Sequence, residues 1–260
     1  ASQFFVSRYL GVEDFALFAN GYRELPLAGM IIGAAAGVLL PEFSRMSGEG
    51  ADGGQFVRLW QAAVLKSSAI IYPLSVFCCV FAPEIICLLY GEGYREAAGL
   101  FRIVTVVNLA RIMPYAPVLF ALGRGKAFAR AHLVTALLIV GLDLLCVMAF
   151  PSLWAIAAIA TGCTLFCLFL LMTTTARVLG TSLAGLMPWR MLTTVLLVSA
   201  AACTAARLAV LLTGMTHRLA VVSVGFAVYL SLYRPFAQRA GIRYMELFGP
   251  VLAKLRPNRT

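Results

Sequence analysis

Two ionisable residues, Arg111 and Asp143, lie deep within apolar stretches of this 260-residue chain. A charge at bilayer depth costs on the order of 3 kcal/mol on an insertion scale, so such residues face protein or water and carry a functional hypothesis. The guanidinium of Arg111 can bind a phosphate, and the carboxylate of Asp143 can hold a proton or a cation. The alternatives are structural: Arg111 bonds to backbone carbonyls or to Asp143, or Asp143 makes a polar contact between helices.

The residues around Arg111 predict a polar helix face. Asn108, Arg111 and Tyr115 are spaced i, i+3 and i+7, which places them on one side of a continuous helix. Pro114 and Pro117 would loosen the helix beside them. The segment therefore predicts one ligand-facing surface within a single span.

A second polar group precedes an apolar run that holds no ionisable residue from Leu25 to Leu40. The group consists of Asn20, Tyr22, Arg23 and Glu24. Adjacent helical residues point about 100° apart, so Arg23 and Glu24 cannot both face lipid comfortably. They fit either ordinary charges at the end of a span or the mouth of a polar cavity.

The apolar run itself is about long enough to cross a hydrocarbon core of roughly 30 Å. Gly29, Gly33 and Gly37 fall four apart in it and form one bare stripe. Small residues allow another helix to approach closely, so tight packing is the favoured interpretation and an open passage is the other.

The composition is that of an integral membrane protein. Hydrophobic residues make up 62% of the chain, charged residues make up 12%, and the mean hydropathy is +0.91. The opening ASQFFVSRYL resembles the end of an apolar helix, so we expect a fragment whose N-terminal half is missing. The net charge of +10 fits orientation in the bilayer and contact with anionic lipids, and it is weak evidence for nucleic acid.

Apolar stretches of bilayer length predict seven helical spans. They cover residues 25–40, 67–90, 103–122, 132–150, 153–172, 191–213 and 219–233. A Gly-rich polar connection is expected at 42–66, and no segment shows the alternating pattern of a membrane barrel. The predicted fold class is an all-α integral membrane protein, a bundle of about seven transmembrane helices.

Basic residues predict the orientation, because Lys and Arg accumulate in cytoplasmic loops. Fourteen lie on one set of connections: Arg45, Arg58, Lys66, Arg124, Lys126, Arg130, Arg177, Arg190 and six from Arg234 onward. Six lie on the opposite set: Arg8, Arg23, Arg95, Arg102, Arg207 and Arg218. The first set and the C-terminus are therefore predicted to be cytoplasmic.

No catalytic, nucleotide-binding or metal-binding motif is found. The seven cysteines lie in apolar spans without ligand spacing, and His132 and His217 stand alone near span ends. We therefore expect neither a metal nor a cofactor.

Three stretches carry a family resemblance: YRELPLAGMIIGAAAGVLLPEFSR, LLYGEGYREAAGLFRIV and the basic turn GRGKAFAR. Over most of residues 1–177 they resemble the second half of a polysaccharide flippase of the multidrug/oligosaccharidyl-lipid/polysaccharide exporter (MOP) superfamily. The first stretch is also similar to the lipid II flippase branch. The turn after the third span lacks that branch's aromatic and Asp-Thr-x-x-Pro segment.

The resemblance implies that residues 1–177 form the C-terminal lobe of a MATE-like two-lobe transporter. Residues 178–233 would add two transmembrane helices, and 234–260 would form a basic cytoplasmic tail. The resemblance also implies that the protein is not an enzyme. It implies a flippase that moves an undecaprenyl-pyrophosphate-linked oligosaccharide across the bacterial cytoplasmic (inner) membrane by alternating access. The implied substrate-binding residues are Asn20, Arg23, Glu24, Asn108, Arg111 and Tyr115, with Asp143 as the coupling-ion residue.

The expected partners are the lipid-linked oligosaccharide, membrane lipids and the missing N-terminal half, with no nucleic acid. One alternative is a lipid II flippase, and another is a MATE-type drug/cation antiporter, which would centre on acidic cavity residues. A membrane-embedded polyprenyl-linked glycosyltransferase or polymerase is an alternative of another class. It would need clustered acids, a metal site or a large loop, whereas the acids here are scattered.

Overall fold

The computed structural model describes residues 1–239, and every regular element within them is helical. Two short helices, α1 (Ser2–Tyr9) and α2 (Val12–Gly21), precede the long helix α3 (Pro26–Gly48). Pro26 is the first residue of α3, a position at which its missing N–H costs no helical hydrogen bond.

The second and third predicted spans are each divided into two helices. They are α4 (Gly53–Val80) with α5 (Ala82–Tyr90), and α6 (Ala97–Ala110) with α7 (Tyr115–Ala121). α4 continues through Pro73, whereas Pro83 lies in the first turn of α5 after a break at Phe81. Of these two prolines, only Pro83 thus lies next to a helix end.

The remaining helices are long and uninterrupted, apart from one short turn. They are α8 (Gly125–Ala149), α9 (Leu153–Val178), α10 (Leu183–Leu186), α11 (Trp189–Leu212) and α12 (Arg218–Arg239). Helix α12 extends into the predicted tail, and residues 240–260 of that tail lie outside the described residues. Seven helical segments of 22–28 residues are long and apolar enough to cross a membrane, which confirms the predicted number.

The predicted polar connection at 42–66 is wrong. Helix α3 continues to Gly48 and α4 begins at Gly53, where the Asp52 side chain accepts a hydrogen bond from the Gln55 N–H at 2.7 Å. This N-cap starts α4 early, despite the polar residues in its first turns. Arg58 and Lys66 therefore lie on a helix.

Helix α4 lies at the centre of the packing, in contact with α3, α6 and α11. The Tyr229 hydroxyl on α12 donates to the Pro73 carbonyl at 3.2 Å, and Arg207 on α11 pairs with Glu84 on α5 at 2.7 Å. The last two spans are thus packed directly against α4 and α5.

Candidate functional site

Two interruptions of helix define the candidate site. Residues 22–25 separate α2 from α3, and residues 111–114 separate α6 from α7. Pro26 and Pro114 each lack the N–H that would bond to the carbonyl four residues earlier, and a helix ends a few residues before each of them. Because α2 packs along α6 and α3 packs along α7, the two breaks lie beside each other.

The contacts of α4 show how deep these breaks lie. The Tyr72 hydroxyl donates to the Leu109 carbonyl at 2.9 Å, and the Trp60 and Tyr115 rings meet at 5.2 Å between centroids. The break at 111–114 is therefore level with the part of α4 between Trp60 and Tyr72, near the middle of that 28-residue helix. The Tyr72 bond also satisfies one of the carbonyls left without a partner at the end of α6.

An ion pair joins the two breaks. Arg111 Nη1 donates to Glu24 Oε2 at 2.5 Å, and the two side chains remain 34% and 44% exposed. The partner of Arg111 is thus Glu24, and the structural alternative of an Arg111–Asp143 pair is not observed. A charge pair with this exposure borders open space rather than a closed core.

Each member of this pair lines a different cavity. The Glu24 cavity, of about 570 Å³, is lined by Glu24, Asn20 and Arg23 and lies toward the α5–α6 turn. The Arg111 cavity, of about 430 Å³, is lined by Arg111 and Tyr115 and lies toward the α7–α8 turn. Five of the six predicted substrate-binding residues therefore line one of two cavities that meet at the ion pair.

The Arg111 cavity is suited to an anion. Its polar lining includes His132, Thr135 and Thr164, and no Asp or Glu among residues 1–239 lines it. A third, apolar cavity of about 320 Å³ shares Tyr115 and Leu168 with it. A cationic cavity beside an apolar one matches the two ends of an anionic lipid.

The predicted polar face of the third span is wrong, because α6 ends at Ala110 and the chain leaves the helix at Arg111. Asn108 is 1% exposed, lines none of the three cavities, and its Nδ2 has no hydrogen-bond partner in the described part of the chain. Tyr115 is 4% exposed and packs against Trp60. Its substrate-binding role stays a prediction, as does that of Asn108.

Asp143 lies apart from the ion pair. It is fully buried on α8, where Ser2 Oγ donates to its Oδ2 at 2.7 Å. Its Oδ1 has no hydrogen-bond partner within residues 1–239, and Asp143 lines none of the three cavities. Its role as the coupling-ion residue stays a prediction.

Of the other polar residues at the first break, only Tyr22 is hydrogen-bonded to another helix within the described part of the chain. Asn20 Nδ2 donates to the Ala16 carbonyl of its own helix at 2.9 Å, while Arg23 is exposed. Tyr22, which the sequence did not single out as functional, shares a hydrogen bond of 2.9 Å with Thr161 on α9. The feature of the sequence that could have indicated this contact is the presence of isolated threonines, such as Thr161 and Thr164, within an apolar span.

The glycine stripe on α3 is open. A Cβ atom built at Gly29, Gly33 or Gly37 would meet no other atom within 4 Å. Tight helix packing, the favoured interpretation, is therefore wrong within the described residues. The stripe lies on a surface that also exposes Met30 and Val38, at 70% and 72%.

The fold and these cavities describe a multi-pass membrane protein with seven candidate spans. No curated protein and no solved structure matches the chain. Residues 1–99, which include the first helix break and Glu24, match the family described as "Polysaccharide biosynthesis protein", a flippase family of the MOP superfamily, and the resemblance expected from the sequence is thereby confirmed over those residues.

Proposed function

We propose that this chain is the C-terminal lobe of a flippase that moves an undecaprenyl-pyrophosphate-linked oligosaccharide across the bacterial cytoplasmic membrane by alternating access. The family match over residues 1–99 supports the class of protein. The single observation that carries the substrate class is Arg111, a partly exposed cation at the junction of two broken helices. Broken helices at mid-depth are where many transporters place their substrate sites.

Arg111 supplies what a pyrophosphate needs. Its guanidinium can make two parallel hydrogen bonds to phosphate oxygens, and no carboxylate among the described residues competes inside the Arg111 cavity. The apolar cavity on the other side of Tyr115 would receive the first part of the prenyl chain. A drug/cation antiporter is less well supported, because Glu24, the acidic residue that lines one of these three cavities, is already paired with Arg111, and the buried Asp143 lines none of them.

The test is flipping of a fluorescent undecaprenyl-pyrophosphate glycan by the full-length protein in liposomes, expressed per molecule of folded protein. Arg111→Ala should lose most of the activity, and Arg111→Lys should keep part of it as a point charge. Arg207→Lys is the matched control, since Arg207 is also paired with a glutamate, Glu84, and neither residue lines any of the three cavities. Normal flipping per folded molecule in Arg111→Ala would overturn the substrate-binding role.

A further inference from the structure

We propose that the Glu24–Arg111 ion pair is a gate between the Glu24 cavity and the Arg111 cavity, and that the diphosphate group opens it by replacing Glu24 at Arg111. The inference rests on the proposed function for the identity of the anion. It assigns Glu24 the role of a counter-ion to be displaced, rather than that of a substrate ligand.

The position of the pair is the first argument. Glu24 lines one cavity, Arg111 lines the other, and their 2.5 Å hydrogen bond spans the boundary between them. One cavity extends toward the α5–α6 turn and the other toward the α7–α8 turn. Separation of the two side chains would join the cavities along the length of the bundle.

The pair is also suited to exchange. Neither side chain makes another hydrogen bond within the described residues, and both remain about one-third or more exposed, at 34% and 44%. Partly solvated ion pairs are weak, and a diphosphate offers Arg111 more charge and more acceptor oxygens than one carboxylate does. The Arg207–Glu84 pair differs, because its side chains are 28% and 17% exposed and Arg207 also lies over the Phe81 ring.

The first break can move without unfolding a helix. Gly21 is tightly packed, since a Cβ atom there would lie 2.6 Å from the Ala97 carbonyl oxygen, and Tyr22 is bonded to Thr161. Movement is therefore confined to residues 23–25, just before Pro26 begins α3. Of the seven candidate spans within residues 1–239, α3 is the least buried, at 17% of its apolar segment.

Binding by the full-length protein in detergent tests the exchange, with undecaprenyl pyrophosphate as the ligand and undecaprenol as the uncharged comparison. Glu24→Gln should tighten pyrophosphate binding at least threefold, because Arg111 is freed. Arg111→Gln should weaken it at least tenfold, and Glu84→Gln should leave it unchanged. If the ion pair were purely structural, Glu24→Gln and Arg111→Gln would change pyrophosphate binding in the same direction. Weaker or equal binding in Glu24→Gln would therefore overturn the exchange.

Thiol labelling tests the gate without any substrate. Cys167 lines the Arg111 cavity and is 5% exposed, so its reaction with a membrane-impermeant maleimide added only on the side of the α5–α6 turn reports opening. Glu24→Gln should raise the labelling rate of the Cys167 peptide, measured by mass spectrometry, at least fivefold over the natural protein. An unchanged rate overturns the gate. Equal binding of undecaprenol and undecaprenyl pyrophosphate by the natural protein would instead overturn the proposed substrate. The labelling rate would then still test whether the ion pair is a gate.

Discussion

Tyr22 and Thr161 lie 139 positions apart and share a hydrogen bond of 2.9 Å between their hydroxyl oxygens. The bond joins the break between α2 and α3 to the third turn of α9, beside a stacked contact of the Tyr22 ring with Phe18 at 4.8 Å. It thus fixes one end of the segment that carries Glu24. The other end, α3, packs on α7 and α4 but exposes much of its surface.

Tyr22→Phe removes this hydrogen bond and keeps the stacked ring. We expect a loss of unfolding free energy of about 0.6 kcal/mol, the average for hydrogen bonds between membrane helices. Thr161→Val should cost a similar amount, and the double variant should cost less than the sum, because both changes remove one bond. Unfolding by denaturant in detergent measures this, and additive losses would contradict the contact. Ser231→Ala on the exposed side of α12 is the control.

Asp143 and Arg111 should behave as independent sites. Asp143→Ala breaks the bond from Ser2, and Arg111→Ala breaks the bond to Glu24, so neither change leaves the other charge without its partner. We expect the yield of folded Arg111→Ala/Asp143→Ala to equal the product of the two single effects, measured by fluorescence-detected size exclusion. A double variant that recovers the yield of the natural protein would show that the two charges are paired after all.

If Asp143 holds the coupling ion, Asp143→Asn should abolish the dependence of flipping on an imposed proton or sodium gradient and keep flipping down the substrate gradient. Its buried Oδ1 has no hydrogen-bond partner within residues 1–239 and can take a proton or bind a cation, whereas an amide cannot take up the proton and carries no negative charge to hold a cation. Ser2→Ala is the comparison variant, since it removes the bond to Oδ2 and keeps the carboxylate. Gradient-driven flipping at the natural rate in Asp143→Asn would contradict this role.

Gly33→Leu should leave the folded yield of this chain unchanged, because a side chain at Gly33 meets nothing within 4 Å. In the full-length protein, flipping should fall at least tenfold if the open stripe faces the N-terminal lobe or the substrate path. Leu137→Ala, a change on the exposed surface of α8, is the control. Normal flipping in Gly33→Leu would show that the stripe faces lipid.

The orientation follows from the basic residues and remains a prediction. A cysteine introduced at Lys126, in the first turn of α8, should react with an impermeant thiol reagent only from the cytoplasmic side. A cysteine at Arg95, in the α5–α6 turn, should react only from the opposite side. Labelling of inside-out and right-side-out vesicles distinguishes the two, and reaction of both positions from one side would refute the topology.

The sequence by itself determined the class of the fold and the number of spans. Long apolar runs are unfavourable in water, and inside a bilayer a helix satisfies their backbone polar groups. Their length and number therefore predict membrane helices directly. Helix ends were less well predicted. The first turns of α4 contain Gln55, Arg58 and Gln61, and these polar residues lower the hydropathy of a segment that is nevertheless helical. The cap at Asp52 decided that boundary.

Only the tertiary structure decided what the charged residues contact. Pro114 and Pro117 predicted a loosened helix in the third span. Whether a helix continues through a proline, as α4 does at Pro73, or ends before it, as α6 does before Pro114, depends on which neighbours satisfy the freed backbone groups. Glu24 and Arg111 are 87 residues apart, and no spacing along the chain relates them. Their pairing, and the two cavities it separates, arise because α2 and α3 pack along α6 and α7 with both breaks at one level.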